Sequence, residues 1–107
     1  MNSDTLRPII AKRAATDDEC YEDVEQCWAE LGTALTEDYD ATGTFLLEDA
    51  TEDETKWSSE VFEEIFEKAP EQRYVDLLGK AIERLADQDD RLRTAKILDQ
   101  VAQMYID

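Results

Sequence analysis

Hydrophobic residues recur along most of this chain at intervals of three and four, the spacing of one buried face of an α-helix. The pattern separates into five segments, and no two of them alternate as paired strands would. The first predicted helix covers about Thr5–Ala14, with Pro8 in its first turn, where proline is tolerated. Its inward residues are Leu6, Ile9, Ile10 and Ala14.

The second predicted helix has one of the clearest patterns in the chain. Thr16 and Glu19 have the spacing of a capping box, so the helix is expected to begin at Thr16. A long connection is then expected over residues 36–52, with a short apolar run at 45–47. The apolar stripe of the helix itself comprises Cys20, Tyr21, Val24, Cys27, Trp28, Leu31 and Leu35.

Three further helices are predicted after the long connection. A second capping-box pattern, Thr51 with Glu54, begins the third helix, which continues to Ala69. Pro70 is expected in the first turn of the fourth helix, and residues 86–90 form the turn before the fifth. Inward positions of the fifth helix are Leu92, Ala95, Leu98, Val101, Ala102 and Tyr105.

These segments predict a single all-α domain over residues 1–107, a bundle of about five helices. The last three are expected to be antiparallel neighbours because their turns are short. No segment has the length and apolarity of a membrane helix or of a signal peptide, so a cytoplasmic protein without membrane contact is expected. Cys20 and Cys27 are too far apart on one helix for a disulfide, so two buried thiols are expected.

The distribution of charge along the chain bears on function more than on fold. The chain has 28 acidic and 11 basic residues, for a net charge of −17. Residues 15–67 contain 19 acidic residues and only Lys56 as a cation, a net charge of −18. Such a surface excludes direct nucleic-acid binding, which needs cations, and favours a basic protein partner. Plain solubilising charge remains an alternative interpretation.

Catalytic and cofactor motifs are missing from the sequence. The chain has no histidine and only three glycines, and it has neither a nucleophile-elbow nor a phosphate-loop motif. We therefore expect a protein that is not an enzyme and needs no cofactor.

The stretch DYDATGTFLLED, residues 38–49, has spacing close to that of an EF-hand calcium loop. A neutral Thr42 at its fifth position and Leu46 at its ninth depart from that pattern, and no second loop follows. A solvated turn is the preferred interpretation, and a degenerate calcium-binding module is the alternative. The ligands in that alternative would be Asp38, Asp40, Thr42, Thr44 and Asp49.

The third predicted helix carries one acidic stripe beside its apolar one. Repulsion between carboxylates at these spacings costs roughly 0.2–0.5 kcal/mol a pair, which a cationic partner would relieve. The face of the second helix with Asp18, Glu22 and Glu25 is the alternative location for the contact. The predicted partner-binding residues are Asp49, Glu52, Asp53, Glu54, Glu60, Glu63, Glu64 and Glu67.

Residues 57–106 read WSSEVFEEIFEKAPEQRYVDLLGKAIERLADQDDRLRTAKILDQVAQMYI. This small, acidic, helical sequence resembles in type the immunity proteins found beside polymorphic and contact-dependent toxins. The resemblance implies a protein that blocks a basic nuclease toxin, and it specifies no residues. Phage-encoded inhibitors that mimic the charge of DNA share the composition and form a further alternative.

Overall fold

The computed structural model describes residues 2–106, with side chains from residue 4 onward, and this part of the chain is helical without any strand. The all-α prediction is confirmed, whereas the count of five helices is too low. In chain order the elements are α1 (Asn2–Ala15), α2 (Tyr21–Glu37), α3 (Tyr39–Thr44), a π-helical turn (Phe45–Asp49), α4 (Glu52–Ser59), α5 (Phe62–Lys68), α6 (Gln72–Glu83) and α7 (Gln88–Tyr105).

The predicted long connection over 36–52 is wrong, because most of it is helical. Asp38 caps α3 by accepting a hydrogen bond at Oδ1 from the Ala41 N–H, 3.1 Å away. The buried Thr42 hydroxyl donates to the Leu35 carbonyl at 2.8 Å and so satisfies the end of α2. Residues 38–49 therefore lack the loop conformation that the calcium alternative requires.

The π-helical turn continues directly from α3. The Ala50 N–H donates to the Phe45 carbonyl five residues earlier, at 2.7 Å. The wider turn allows the consecutive side chains of Phe45 and Leu46 both to be buried, each about 1% exposed. The apolar run that marked an expected loop is thus part of the core.

The third predicted helix is divided into α4 and α5. Val61 has φ −111° and ψ 19°, and its N–H donates to the Ser58 carbonyl three residues back at 3.1 Å. The Ser58 hydroxyl bonds the Glu54 carbonyl at 2.9 Å, a side-chain bond that competes with regular helix. The break buries the adjacent Val61 and Phe62 together. The predicted capping box of Thr51 and Glu54 is confirmed at the start of α4.

Other predicted helix boundaries move by several residues. Helix α2 begins at Tyr21 and not Thr16, because the Thr16 hydroxyl donates to the Lys12 carbonyl at the end of α1. Pro8 lies in the second turn of α1, since that helix begins at Asn2. Helix α6 begins at Gln72, after Pro70.

One hydrophobic core joins residues from all of these elements. Helix α2 packs on α1 and α5, and α7 packs on α5 and α6. Of the last three predicted helices, the fifth (α7) packs on both the fourth (α6) and the third (α5), and α5 also packs on α2. The largest buried side chains include Tyr74, Phe45, Phe66, Leu6, Leu31 and Leu35.

Four predicted core positions are on the surface: Ala14, Cys20, Tyr21 and Leu92. Cys27 is buried as expected, but Cys20 is exposed because it precedes the first residue of α2. Leu92, expected inward on α7, is 62% exposed. Across residues 2–106, no helix combines the length and apolarity needed to span a membrane.

Candidate functional site

A buried arginine forms ion pairs where α1, α2 and α4 meet. The Arg13 side chain is 6% exposed, and its Nε and Nη2 atoms donate to the two carboxylate oxygens of Glu60 at 2.8 and 3.1 Å. Its Nη2 also donates to Asp18 Oδ1 at 3.0 Å, and its guanidinium lies 4.9 Å from the ring centroid of Trp57. Burial lowers the pKa of Arg13, but hydrogen bonds to Glu60 and Asp18 outweigh it and raise the pKa above its ordinary value. Glu60 is thus bound to a buried cation, while 30% of its own side chain stays exposed.

Glu60 has a further internal partner. The indole Nε1 of Trp28 donates to Glu60 Oε1 at 3.0 Å. One carboxylate therefore connects an arginine of α1 and a tryptophan of α2 to the end of α4. Three hydrogen bonds within the protein hold the Glu60 carboxylate, and 30% of its side chain remains exposed.

The acidic residues around the start of α4 are also engaged within the chain. Glu54 completes the capping box and accepts from Arg7 Nε at 3.0 Å. The Asp49 carbonyl accepts from Arg7 Nη2 at 2.6 Å, and Glu52 accepts from the Ala86 N–H. Asp53 is 85% exposed and lies 3.8 Å from Lys56 Nζ.

The remaining predicted contact residues lie on α5. Glu67 accepts a hydrogen bond from the Tyr105 hydroxyl at 3.2 Å, and Glu63 is exposed. Glu64 is half-buried against Gly32 of α2. Burial raises the pKa of Glu64 most, and the nearby charges of Glu63, Glu67 and Glu60 raise it further, while a backbone hydrogen bond partly offsets them.

The predicted single stripe of Glu60, Glu63, Glu64 and Glu67 therefore does not exist as one helix face. Glu60 ends α4, whereas the other three belong to α5. The structure brings Glu63, Glu64 and Glu67 together but turns Glu60 toward Arg13 and Trp28. Most of the predicted contact residues remain accessible to solvent. Glu54 and Glu64 are half-buried, and the exposed ones are Asp49, Glu52, Asp53, Glu60, Glu63 and Glu67.

A different acidic surface is open to solvent on the N-terminal half of α2. We call Tyr21, Glu22, Asp23 and Glu25 the acidic α2 face; all four residues are exposed, Tyr21 by 60%. None of its three carboxylates has an ion-pair partner in the described part of the chain, and α2 contains neither lysine nor arginine. Tyr21 meets Trp28 edge-to-face, with ring centroids 6.2 Å apart.

A shallow groove lies beside the same helix, between α1 and α2. Its volume is about 400 Å³, and small or apolar side chains such as Ile9, Ala29, Thr33 and Ala34 form much of its wall. Glu30 and Glu37 also line it, and Glu30 pairs with Lys12 of α1 at 3.3 Å. The groove extends the acidic surface toward the C-terminal end of α2.

Sequence reasoning singled out Glu22 and Glu25 only as an alternative location and missed Tyr21, which it assigned to the core. The position of Tyr21 around the helix axis could have indicated its exposure, because on a helical projection it lies between the buried stripe and Glu22. Asp18, also part of that alternative, is engaged with Arg13.

The residues of the calcium alternative are not arranged as a cation site. Asp38 caps α3, Thr42 is buried, and Asp49 follows at the end of the π-helical turn. Within residues 2–106, no group of three or more histidine, cysteine or acidic side chains is placed to hold a metal ion.

Comparison with known proteins does not extend this description. No protein-family model matches the sequence, and no curated protein or solved structure is significantly similar to it.

Proposed function

We propose that the protein is a non-catalytic binding protein that neutralises a basic protein partner, and that this partner is a nuclease toxin of the kind blocked by immunity proteins. The acidic α2 face carries the proposal. It combines three exposed carboxylates with an exposed tyrosine, on a helix without a cation. The proposed contact thus lies mainly on α2, with Asp53 and Glu63 at its margin.

The physical case rests on two complementary properties of this face. Carboxylates without internal partners keep their full charge available, so they attract a cationic surface and accelerate its association. Tyrosine supplies apolar contact area and a hydroxyl, and it is enriched among residues that contribute most to binding. A nuclease must present cations to phosphate groups, so its active-site surface is a suitable target for an acidic inhibitor.

The other predicted contact residues support the same function less directly. Asp49, Glu52, Glu54, Glu60, Glu64 and Glu67 already have contacts inside the fold. Their charges still add to the negative potential that steers a cation toward the protein. We therefore assign them to long-range attraction and assign direct contact to the acidic α2 face.

The test compares two triple variants that remove the same charge. The first is Glu22→Gln, Asp23→Asn and Glu25→Gln; the control is Asp40→Asn, Glu48→Gln and Asp89→Asn. The control residues are exposed and lie on other elements. The α2 set removes two acidic residues from a first helical turn and the control removes three, so the control perturbs helix N-termini at least as much.

The partner is first captured from lysate of the host cell and identified, and its nuclease activity is assayed with and without the protein. Binding kinetics of wild type and both variants are then measured at two salt concentrations. We expect the α2 variant to associate about tenfold more slowly or worse, with a weaker salt dependence, and the control to change much less. Equal losses in both variants would contradict the assignment to α2, and a captured partner without nuclease activity would contradict the toxin class.

A further inference from the structure

A second surface, which is largely apolar, lies between α6 and α7. The two helices enclose an open groove of about 620 Å³. Its apolar wall includes Val75, Gly79, Ile82, Leu92, Ala95 and Leu98. Leu92 projects from this groove with 62% of its surface exposed, although its helical position belongs to the apolar stripe of α7.

Gly79 leaves an open space in the wall of the same groove. A Cβ atom added to Gly79 would meet no atom within 4 Å, so the surface above this glycine is open. One face of the protein thus carries both an exposed leucine and a space without side chain. A surface that holds a projection and a recess is self-complementary under a twofold rotation, which places each projection against the other copy's recess.

Charges of both signs line the groove, two cations and three anions. Lys80, Arg91, Asp76, Glu83 and Asp99 line it. Within the described residues, Lys80 has no carboxylate partner, and Glu83 and Asp99 have no cation partner. Residues 15–67, in contrast, have a net charge of −18, so two copies would repel each other most strongly through that part.

We propose that a second copy of this chain binds at the α6–α7 groove to form a twofold-symmetric homodimer. The Leu92 side chain of each copy enters the groove near Gly79 of the other. Unpaired charges of both signs at the groove, Lys80 with Glu83 and Asp99, meet their opposites across the twofold axis. The acidic α2 face remains outside this interface and free for another partner.

The size of the face predicts a weak, reversible dimer. Helices of 12 and 18 residues are about 18 and 27 Å long. With a width of about 10 Å each they present roughly 450 Å² per copy, less than the about 800 Å² of a standard interface. We therefore expect a dissociation constant in the micromolar range or above.

Sedimentation velocity over protein concentrations from about 1 to 500 µM tests the proposal. We expect conversion from monomer to dimer as concentration rises. Because like-charged copies repel, added salt should strengthen the dimer, whereas it weakens binding of a basic partner. A chain that stays monomeric at all concentrations and at both low and high salt would overturn the proposal.

Matched variants locate the interface. Leu92→Glu should abolish dimerisation, while Met104→Glu, which adds the same charge at a residue 64% exposed on the same helix, should leave it within about threefold. Gly79→Leu should also abolish dimerisation without lowering the melting temperature, because the space is open and leucine favours helix. A dimer that persists in Leu92→Glu or in Gly79→Leu would overturn the assignment. A loss of binding to the basic partner in Leu92→Glu but not in Met104→Glu would also overturn it.

Discussion

Arg13 and Glu60, which are 47 residues apart in sequence, form a two-point ion pair with N–O distances of 2.8 and 3.1 Å. The pair fastens α1 to the break between α4 and α5. The Trp57 ring lies against the same guanidinium, so the cation contacts both charge and an aromatic surface. Together with the hydrogen bond from Trp28, these contacts join α1 and α2 to the break between α4 and α5.

Replacing Glu60 tests this arrangement. Glu60→Gln leaves a buried guanidinium with Asp18 as its remaining anion, so we expect a loss of about 1–3 kcal/mol in the free energy of unfolding. The cost lies below the about 3–5 kcal/mol of fully buried pairs because Asp18 remains and the Glu60 side chain is 30% exposed. Chemical denaturation measures the difference. Glu25→Gln, an exposed matched change on α2, should alter stability by no more than about 0.5 kcal/mol; a similar loss there would contradict the structural role of Glu60.

Two glycines should respond in opposite ways to the same substitution. A Cβ at Gly32 would lie 2.8 Å from Glu64 Cβ, so α2 and α5 would have to move apart. We expect Gly32→Ala to cost about 1–3 kcal/mol of stability. Gly79→Ala meets open space and should stabilise the protein by about 0.5–1 kcal/mol through helix propensity. Thermal melting of both variants decides, and a destabilised Gly79→Ala or a stabilised Gly32→Ala would be inconsistent with the packing described.

Glu64 predicts an unusual pH dependence. Its pKa in the folded protein is raised, mainly by burial, so the folded state binds the proton more tightly than the unfolded state. Its contribution to stability is therefore fully present below the ordinary pKa of 4.5 and is lost as the pH rises through the higher folded value. Glu64→Gln should be more stable than wild type at neutral pH, and the advantage should disappear at acidic pH. Denaturation curves across the pH range measure this, and an advantage that is constant with pH would contradict the burial of Glu64.

Asp38 should act as a helix cap and not as a calcium ligand. Asp38→Ala removes the acceptor for the Ala41 N–H, and loss of such a cap costs about 1 kcal/mol. We expect the same loss in calcium, in magnesium and in chelator. A calcium-specific stabilisation of wild type, about 2.7 kcal/mol at a hundredfold excess over the dissociation constant, that disappears in Asp38→Ala would restore the calcium alternative.

Local sequence signals predicted those features that depend on neighbours within one or two turns. The stripe of Val24, Cys27, Leu31 and Leu35 is buried on α2, and Thr51 and Glu54 form the expected capping box. Amphipathic spacing and capping hydrogen bonds involve residues at most a few positions apart. These signals were sufficient for the all-α class and for the approximate positions of most helices.

Features that depend on distant partners were decided only by the tertiary structure. Residues 38–49 resemble a loop in composition, but Phe45 and Leu46 are drawn into a core and the chain around them becomes helical. Glu60 follows the spacing of an acidic stripe, yet its carboxylate pairs with Arg13, which is 47 residues away in sequence. Leu92 has the spacing of a core residue but lines an open groove and is 62% exposed. Sequence periodicity shows which side chains share one face of a helix. Packing between segments that are distant in the chain decides which element covers that face and which charges pair.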